Sequence, residues 1–263
     1  MVIDLRSRRA LVCGSTQGIG WAIAQGLAAA GADVVLAARD AAKLAACSAA
    51  LQAQYPQVSG ETLVVDFDRP EAVAEAIALH LNQHLSFDIL VNNSGGPPGG
   101  AITNAQLTAF EAAFARLLFS GHVLVQALVP EMKARKWGRI LNVVSTSVYE
   151  PLKGLGVSNT TRAAVAGWAK TLSKELAAEG ITVNNILPGA TATQRLSSLV
   201  EKKSSEAGTS QQAIEDHMRG EIPMGRFGEP EEIAALAVFL ASPQAAYITG
   251  TSIPVDGGRM AKI

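Results

Sequence analysis

The sequence has few of the features that mark disulfide-rich or nucleic-acid-binding proteins. Only two cysteines occur among 263 residues, Cys13 and Cys47, and they lie far apart. Two separated thiols form no disulfide framework, and this usage suits a reducing cytosol. The formal net charge is −1, so no excess of positive charge points to nucleic acid. The composition therefore favours a cytoplasmic protein that does not bind nucleic acid.

Long apolar segments are also missing. The N-terminal stretch has charges followed by a very short apolar run, which is too short for a signal peptide. No uninterrupted apolar stretch reaches the roughly 20 residues of a membrane span, so we expect no membrane partner. With 48% hydrophobic residues the chain can bury one large core, and α/β folds often use this many residues in one domain.

Short apolar runs alternate with alanine-rich helical stretches along the chain. The apolar runs predict buried strands, because their two-sided hydrophobicity suits a parallel sheet covered on both faces. Their alternation with helices predicts a doubly wound α/β sheet. We expect strands over residues 9–14, 33–38, 62–66, 87–93, 138–145, 181–187 and 251–256, and helices over 18–30, 41–54, 70–84, 106–135, 159–179 and 230–241.

One polar, charge-rich segment, residues 194–222, follows the sixth predicted strand. Ligands of such sheets bind beyond the carboxyl ends of the strands, so this insertion is well placed to act as a lid. A pair of solvated surface helices is the alternative, and the pattern does not separate the two. No linker or repeat divides the chain, so we expect one domain over residues 1–263.

A glycine cluster follows the first predicted strand directly. Gly14, Gly18 and Gly20 lie where the strand must turn sharply into a helix. Glycine permits that turn, lets a pyrophosphate approach the backbone, and leaves helix N-terminal N–H groups exposed to it. Because a strand precedes the cluster and a helix follows it, the pattern predicts a dinucleotide site. A plain tight turn is the alternative.

The end of the second predicted strand indicates which dinucleotide binds. An acidic residue there would bind the adenosine ribose and repel a 2′-phosphate, but the chain has Ala38 followed by Arg39. Arg39 can pair with that phosphate and Ser15 could add a hydroxyl, so we expect NADP(H) to be favoured over NAD(H). The adjacent Asp40 could instead form an ion pair with Arg39. Asp66, at the end of the third strand, could contact the adenine, cap a helix, or do both.

These motifs, in this order, resemble those of the short-chain dehydrogenase/reductase family, and in detail those of the β-ketoacyl-acyl-carrier-protein reductases. The resemblance covers nearly the whole chain. It implies a single Rossmann domain with a seven-stranded parallel sheet, and a homotetramer or homodimer. The similar segments are CGSTQGIG at 13–20, NNSG at 92–95, GRILNVVS at 138–145, VNNILPG at 183–189 with Thr193, and a C-terminal signature from residue 225 through YITG and VDGG.

The resemblance also implies which residues surround the cofactor. They come from the glycine cluster, the ends of the following strands, the helix after the fifth strand and the loop after the sixth. We expect the cofactor-binding residues to be Gly14, Ser15, Thr16, Gln17, Gly18, Ile19, Gly20, Arg39, Asp66, Phe67, Asn93, Ser94, Gly95, Arg162, Pro188, Gly189, Thr191 and Thr193.

The catalytic positions depart from the family pattern. Of the Ser, Tyr, Lys and Asn that the resemblance implies, only the serine is present, as Ser145. Counting on from it, the tyrosine position holds Ser158 and the lysine position holds Arg162, while Leu117 falls at the asparagine position. A serine hydroxyl is a much poorer acid than a phenol, and arginine does not give up its proton in practice. Losing a positioned general acid costs about 10²–10⁴ in rate, so cofactor binding should survive better than turnover.

A literal Tyr-x-x-x-Lys occurs nearby, at Tyr149 and Lys153. Pro151 prevents a regular helix there, so this pair cannot take the family's helical register. The loop borders the substrate pocket in this fold, which makes Tyr149 a candidate substitute acid, with a role in the pocket wall or surface as the alternative.

Two functions stay open. The first is a reductase-like oxidoreductase that acts on a carbonyl or alcohol, with its catalysis impaired or supplied differently. The second is a catalytically silent NADP(H)-binding protein, such as a sensor or a partner subunit. We expect no metal site: His80 and His84 lie four apart on a predicted helix, but the sequence indicates no third ligand.

Overall fold

Seven parallel strands form one sheet, in the order β3-β2-β1-β4-β5-β6-β7, in the computed structural model, which describes residues 2–261. The order reverses between β1 and β4, and in open α/β sheets a crevice for ligands lies at that point, beyond the carboxyl ends of the strands. The strands are β1 Arg9–Cys13, β2 Asp33–Ala38, β3 Gly60–Val64, β4 Ile89–Asn92, β5 Gly138–Val143, β6 Ile181–Pro188 and β7 Ser252–Val255.

Helices cover both faces of the sheet, because successive strand residues point to opposite sides. In β1, Ala10 and Val12 belong to a core packed under α1, α2 and α9, whereas Leu11 and Cys13 belong to a core packed under α3, α5 and α6. The predicted doubly wound α/β fold is therefore confirmed. The helices are α1 Gly18–Ala29, α2 Ala41–Gln54, α3 Pro70–Gln83, α4 Leu107–Phe114, α5 Ser120–Ala134, α6 Gly156–Leu176, α7 Gln194–Ala207, α8 Gln211–Gly220 and α9 Pro230–Ala241.

Several element boundaries differ from the sequence prediction; α6, for example, begins at Gly156 rather than at residue 159. The third strand begins and ends two residues earlier than expected, because β2, the strand that pairs with it, does so from Val34 to Ala38 and then ends. The predicted helix over 106–135 is divided by a π-helical turn over Ala115–Phe119. Such turns are often found at functional sites, and this one contains Leu117.

The helical run Leu107–Ala134 is also long and apolar enough to cross a membrane by length and composition alone, which corrects the expectation that no segment is. Scattered polar residues hide this property from a search for uninterrupted apolar runs. Part of the run belongs to the layer over the sheet: Leu124 and Leu128 are buried in the core, and Ser120 donates a hydrogen bond to the Phe67 carbonyl at 2.7 Å.

A row of amide side chains crosses the sheet close to its carboxyl edge. Asn92 donates to Asn142 at 2.9 Å, Asn142 to Asn185 at 3.0 Å, and Asn185 to the Ser252 hydroxyl at 3.0 Å. These four residues are direct partners in the register of β4, β5, β6 and β7. Each internal member thereby satisfies polar groups that would be costly to bury alone.

Candidate active site

The glycine turn after β1 has the geometry of a phosphate cradle. Gly14 and Gly18 have φ angles of 59° and 54°, a region that favours glycine. A Cβ on Gly14 would lie 2.7 Å from the Asn93 carbonyl oxygen, and one on Gly20 would collide with the Gly14 carbonyl. No side chain caps the start of α1, so its first N–H groups have no side-chain acceptor within the described part of the chain. This helix end can therefore receive a phosphate.

The other predicted residues of this turn support it in different ways. Gln17 precedes α1 in an extended conformation, Ile19 packs against the core, and the Thr16 carbonyl accepts a hydrogen bond from Cys47 Sγ at 3.6 Å. Ser15 is fully buried, and its Oγ accepts the Ala37 N–H at 3.0 Å. Ser15 thus connects the glycine turn to β2 from a buried position. The expectation that its hydroxyl binds the 2′-phosphate finds no support.

The loop after β6 forms the opposite wall of the cleft. A Cβ on Gly18 would lie 3.2 Å from Thr193 Cγ2, so this loop approaches the glycine turn directly. Thr193 caps α7 by accepting the Leu196 N–H at 3.4 Å, and Thr191 donates to the Gly189 carbonyl at 3.2 Å. Pro188 ends β6, which places these predicted residues together at the sheet edge.

Arg39 is exposed directly after β2 and forms no ion pair with any residue in 2–261. Asp40, which could have formed an ion pair with Arg39, contacts Lys43 instead. It caps α2 by accepting the Lys43 N–H at 3.0 Å, and its second oxygen lies 3.9 Å from Lys43 Nζ. The Arg39 guanidinium is therefore available to a phosphate.

Asp66 lies in the turn before α3 rather than at the end of a strand. Its Oδ1 accepts the Asp68 N–H at 3.1 Å, which tightens the turn, and the N-cap of α3 is Arg69. The alternative that Asp66 caps this helix is thus wrong, because the N-cap position lies three residues further on, at Arg69. Phe67, the next predicted residue, lines the crevice at the end of β4.

Asn93 connects the end of β4 to the glycine turn. Its Nδ2 donates to the Cys13 and Gly14 carbonyls, at 3.2 Å each. The two following residues contact Arg116: Ser94 Oγ donates to its carbonyl at 3.5 Å, and the Gly95 carbonyl accepts from its Nη1 at 3.3 Å. Residues 93–95, from the predicted NNSG segment, therefore connect the end of β4 to the glycine turn and to Arg116.

The three predicted catalytic residues lie around the end of β5. Ser145 Oγ accepts the Ser147 N–H at 3.1 Å, and its own hydrogen has no acceptor among residues 2–261, so it can be donated. Ser158 is buried in the first turn of α6, and its Oγ accepts a hydrogen bond from Arg162 Nε at 3.2 Å. Arg162 also donates through Nη1 to the Val144 carbonyl, directly before Ser145. The structure therefore fixes Arg162 against the strand end that carries Ser145.

Arg162 remains a cation near neutral pH. Burial, together with repulsion from Arg195, lowers the pKa of Arg162 to about 10 from the ordinary 12.5. That pKa is still well above 7, so the guanidinium donates hydrogen bonds but does not give up its proton. It can orient hydroxyls and stabilise negative charge, and it cannot replace a phenol as the acid.

A small crevice lies beside Arg162 and is lined by Leu117, Asn92 and Asn142 among others. Its volume is about 20 Å³, enough for about one water molecule. Leu117 presents only apolar atoms to it, whereas the two amides offer polar ones. A water here would find partners in the amide row even without an asparagine at position 117.

Two arginines near the site were not predicted from the sequence. Arg116 donates through Nη2 to Asp68 Oδ2 at 2.8 Å. Arg195, in the first turn of α7, donates to the Gly96 carbonyl at 3.0 Å and to the Pro97 carbonyl at 3.3 Å. The signal for Arg195 was its place two residues after Thr193, at the start of the charged insertion.

The comparisons with known proteins agree on the family. A family profile described as Enoyl-(Acyl carrier protein) reductase matches residues 14–259. The chain is 33% identical to 3-oxoacyl-[acyl-carrier-protein] reductase FabG of Aquifex aeolicus over 258 residues, covering 98% of this chain and 99% of that one. The chain belongs to the short-chain dehydrogenase/reductase family.

Two further members of the short-chain dehydrogenase/reductase family show how far the likeness extends. NADPH-dependent reductase BacG of Bacillus subtilis is 33% identical, with 98% of this chain and 100% of that protein covered. The crystal structure of L-sorbose reductase from Gluconobacter frateurii, complexed with NADPH and L-sorbose, is 31% identical, with a TM-score of 0.94 and full coverage of both chains. The fold is thus that of the family from end to end.

Phenols are scarce around the active site of this short-chain dehydrogenase/reductase. The chain has three tyrosines. Tyr55 directly follows α2 and Tyr247 is fully exposed, whereas Tyr149 lies in the loop that follows Ser145. As predicted, this loop is not helical beyond a short turn. Tyr149 is 38% exposed, and its role as a substitute acid stays a prediction.

A histidine cluster lies at the opposite end of the sheet from the candidate active site. One potential ligand atom from each of Glu61, His80 and His84 lies within 4.8 Å of the other two. Glu61, in β3, is therefore the third potential ligand that the sequence did not indicate. Arg9, however, donates to Glu61 at 2.7 Å and lies 3.3 Å from His80 Nε2. A guanidinium already serves as the cationic partner of this group, which disfavours a metal ion there.

Proposed function

We propose that this short-chain dehydrogenase/reductase is an NADP(H)-dependent oxidoreductase that interconverts a carbonyl and an alcohol, with Ser158 and Arg162 at the family's tyrosine and lysine positions. The observation that carries the proposal is the combination of a glycine turn that can receive a phosphate, an exposed Arg39 after β2, and Ser145 just beyond the end of β5. The names of the relatives support it, since they include a 3-oxoacyl-[acyl-carrier-protein] reductase and reductases that use NADPH.

The residues of the cleft fit NADP(H). The glycine turn leaves room for a pyrophosphate at the start of α1, which a Cβ at Gly14 or Gly20 would fill. Arg39 is exposed and without a carboxylate partner in the described chain, as recognition of a 2′-phosphate requires. Asn93 and Thr193 flank the inner end. When bound, the nicotinamide supplies the redox chemistry, and the protein supplies binding and orientation.

Ser145 and Arg162 then act on the substrate oxygen in different ways. The Ser145 hydroxyl can donate a hydrogen bond to a carbonyl, because its hydrogen has no acceptor in the described part of the chain. Arg162 is held by the Val144 carbonyl and Ser158, and its fixed charge would stabilise negative charge that develops on that oxygen. Neither group is a good proton donor, so we expect the proton to come from water or from Tyr149. Turnover would then be slower than with a phenol.

We propose that residues 194–222 act as a lid over the Gly-Pro-rich loop 94–100. They form α7 and α8, and α7 is tied to this loop: besides the bonds of Arg195, Lys202 Nζ donates to the Gly99 carbonyl at 3.0 Å. Only a few residues of the segment are buried, Val200 and Met218 among them. A helix pair held mainly by polar bonds to a loop can open at low cost, as a lid must.

The direct test is oxidation of NADPH by the purified protein against a panel of carbonyl compounds. We expect slow but measurable turnover that Ser145→Ala reduces at least tenfold, in line with loss of one donor to the reacting oxygen. Ser147→Ala is the matched control, because it keeps the backbone N–H that bonds to Ser145. Tight NADPH binding with no turnover on any carbonyl or alcohol would contradict the proposal.

That outcome would favour the second candidate, a catalytically silent NADP(H)-binding protein. The observation behind it is the state of Ser158, which is buried and already bonded to Arg162, with no carboxyl group bonded to either among residues 2–261. A sensor or partner subunit would keep the cleft and need no acid. Such a protein would change its stability or its oligomeric state when the nucleotide binds, and it would catalyse no reaction.

A further inference from the structure

Two guanidinium groups meet at Gly96, in the loop that follows β4. A Cβ placed on Gly96 would lie 2.8 Å from Nη2 of Arg195 and 3.1 Å from Nη2 of Arg162. The two side chains come from different elements, Arg162 from α6 and Arg195 from α7. Only a glycine would let both approach this point of the loop, since any side chain would displace at least one of them.

Neither of these two cations has a carboxylate partner among residues 2–261. Arg162 donates to a hydroxyl and to two backbone carbonyls, and Arg195 donates to two backbone carbonyls. The third arginine of the region, Arg116, is by contrast paired with Asp68. Two neighbouring positive charges without a counter-ion repel each other, so an anion that enters between them from solution is favoured.

Both guanidiniums keep donors for such an anion. A guanidinium has five N–H groups, and Nη2 of Arg162 has no acceptor in the described part of the chain. Arg162 is half-buried, whereas Arg195 is exposed at the rim, so an anion can approach from the solvent side. The planar fork of arginine matches a carboxylate or a phosphate group with two parallel hydrogen bonds.

The position of this pair relates it to the substrate. Arg162 is bonded to the Val144 carbonyl, and Ser145 is the next residue. Arg195 belongs to the segment that we propose as a lid, and it bonds to the loop beneath. An anionic group held by both would therefore lie at the strand end where Ser145 acts, with the lid closed over it.

We propose that Arg162 and Arg195 together bind an oxyanionic group of the substrate, a carboxylate or a phosphate, so that the preferred substrates are oxo acids or hydroxy acids or their phosphorylated counterparts. This inference rests on the proposed function, because it names the substrate class of the same site. It also gives the arginine at position 162 a binding role that a lysine at the family's position would fill less well, since a lysine lacks the planar fork.

The test measures the binding of small anions by calorimetry to protein saturated with NADP⁺. Malonate is the carboxylate probe, its dimethyl ester is the neutral control, and inorganic phosphate is the second anion. We expect the anions to bind and the ester to bind at least tenfold more weakly, because it lacks the charge. The tighter of the two anions identifies which oxyanion the site prefers.

Arg195→Gln should weaken the binding of the anions about tenfold to hundredfold, as expected for loss of a charged hydrogen-bond donor. The matched control is Lys203→Gln, which removes one exposed positive charge from the same helix and should change the affinity less than about threefold. A second variant, Gly96→Ala, brings a methyl group against both guanidiniums, whereas Gly100→Ala enters open space. We expect only the former to weaken malonate binding.

Unchanged anion affinity in both Arg195→Gln and Gly96→Ala would overturn the inference. So would a loss of NADPH affinity in Arg195→Gln as large as the loss of malonate affinity, since Arg195 would then serve the cofactor. If the protein reduces carbonyls but does not bind the anions, the proposed anion site is refuted and the proposed reaction is not. If anion binding depends on Arg195 but the protein shows no turnover, the proposed reaction is refuted and the anion site is not.

Discussion

Arg162 donates a hydrogen bond from Nε to Ser158 Oγ at 3.2 Å, so the residues at the proposed lysine and tyrosine positions are bonded to each other. One turn of α6 separates them, which is the spacing at which helix side chains meet. The bond uses the Ser158 oxygen as an acceptor and holds the guanidinium against the end of β5. This arrangement binds and orients, and it contains no group that would readily release a proton near neutral pH.

The double change Ser158→Tyr with Arg162→Lys should therefore create or raise NADPH-dependent carbonyl reduction, by up to about 10²–10⁴. A phenol next to a lysine has a lowered pKa and can donate its proton to the substrate oxygen. Either single change should do less, because a phenol without its lysine keeps a high pKa and a lysine without the phenol has nothing to activate. Steady-state rates of NADPH oxidation for all four proteins provide the measurement.

A third substitution, at Leu117, extends that experiment. This residue lines the crevice beside Arg162, where water would have to resupply the proton. Adding Leu117→Asn to the double variant should keep or increase its rate. A wild type that already turns over at an ordinary rate, about 1–10³ s⁻¹, would contradict the view that Ser158 and Arg162 limit catalysis. Tyr149→Phe would then be the next variant to measure.

Cofactor selectivity should depend on Arg39. Arg39→Ala should weaken NADPH binding about tenfold to hundredfold, since a charged hydrogen bond to the 2′-phosphate is lost, and should leave NADH binding nearly unchanged. Calorimetric titration of both cofactors gives the comparison. Arg6→Ala is the control, as Arg6 is also exposed but pairs with Asp4 near the N-terminus. Equal losses for NADPH and NADH would refute this assignment.

The amide row should contribute to stability through its central member. Asn142→Leu keeps the approximate volume but leaves the Asn92 donor and the Asn185 acceptor without their partner. We expect the free energy of unfolding to fall by about 2–5 kcal/mol, from one partly buried and one buried group left without a partner. Ser252→Ala removes only the terminal acceptor and should cost about 1 kcal/mol. Urea titrations of both variants decide this, and equal small effects would show that water replaces the row.

We predict that the protein assembles as a homotetramer or homodimer in which α6 contributes to the contact. Ala163 and Gly167 lie exposed on this helix, and the apolar run 107–134 also leaves much of its surface uncovered. Gly167→Arg has open space around it within the subunit, so it should fold yet disrupt close helix approach. Sedimentation at micromolar concentration is the measurement, with Gly220→Arg as the control. A monomeric wild type would contradict the prediction.

Much of the architecture was predictable because the relevant signals are local. Buried parallel strands are continuous apolar runs, and the glycine turn is recognisable by its backbone demands. All seven strands therefore begin within two residues of their predicted positions. The π-turn at Ala115–Phe119 was not predictable in this way. The π-turn changes which side chains of this long helical run face the sheet. The amino-acid composition of the run gives no sign of it.

The sequence by itself determined the fold, the nucleotide cleft and the identity of the residues at 158 and 162, because these depend on pattern and spacing along the chain. Only the tertiary structure decided how the charges are distributed. Asp40 turned away from Arg39 to cap α2, while Arg195 and Arg162 converged on Gly96 from elements far apart in the sequence. Such pairings depend on distances across the fold, and no local pattern encodes whether a charge finds its counter-ion in the same chain.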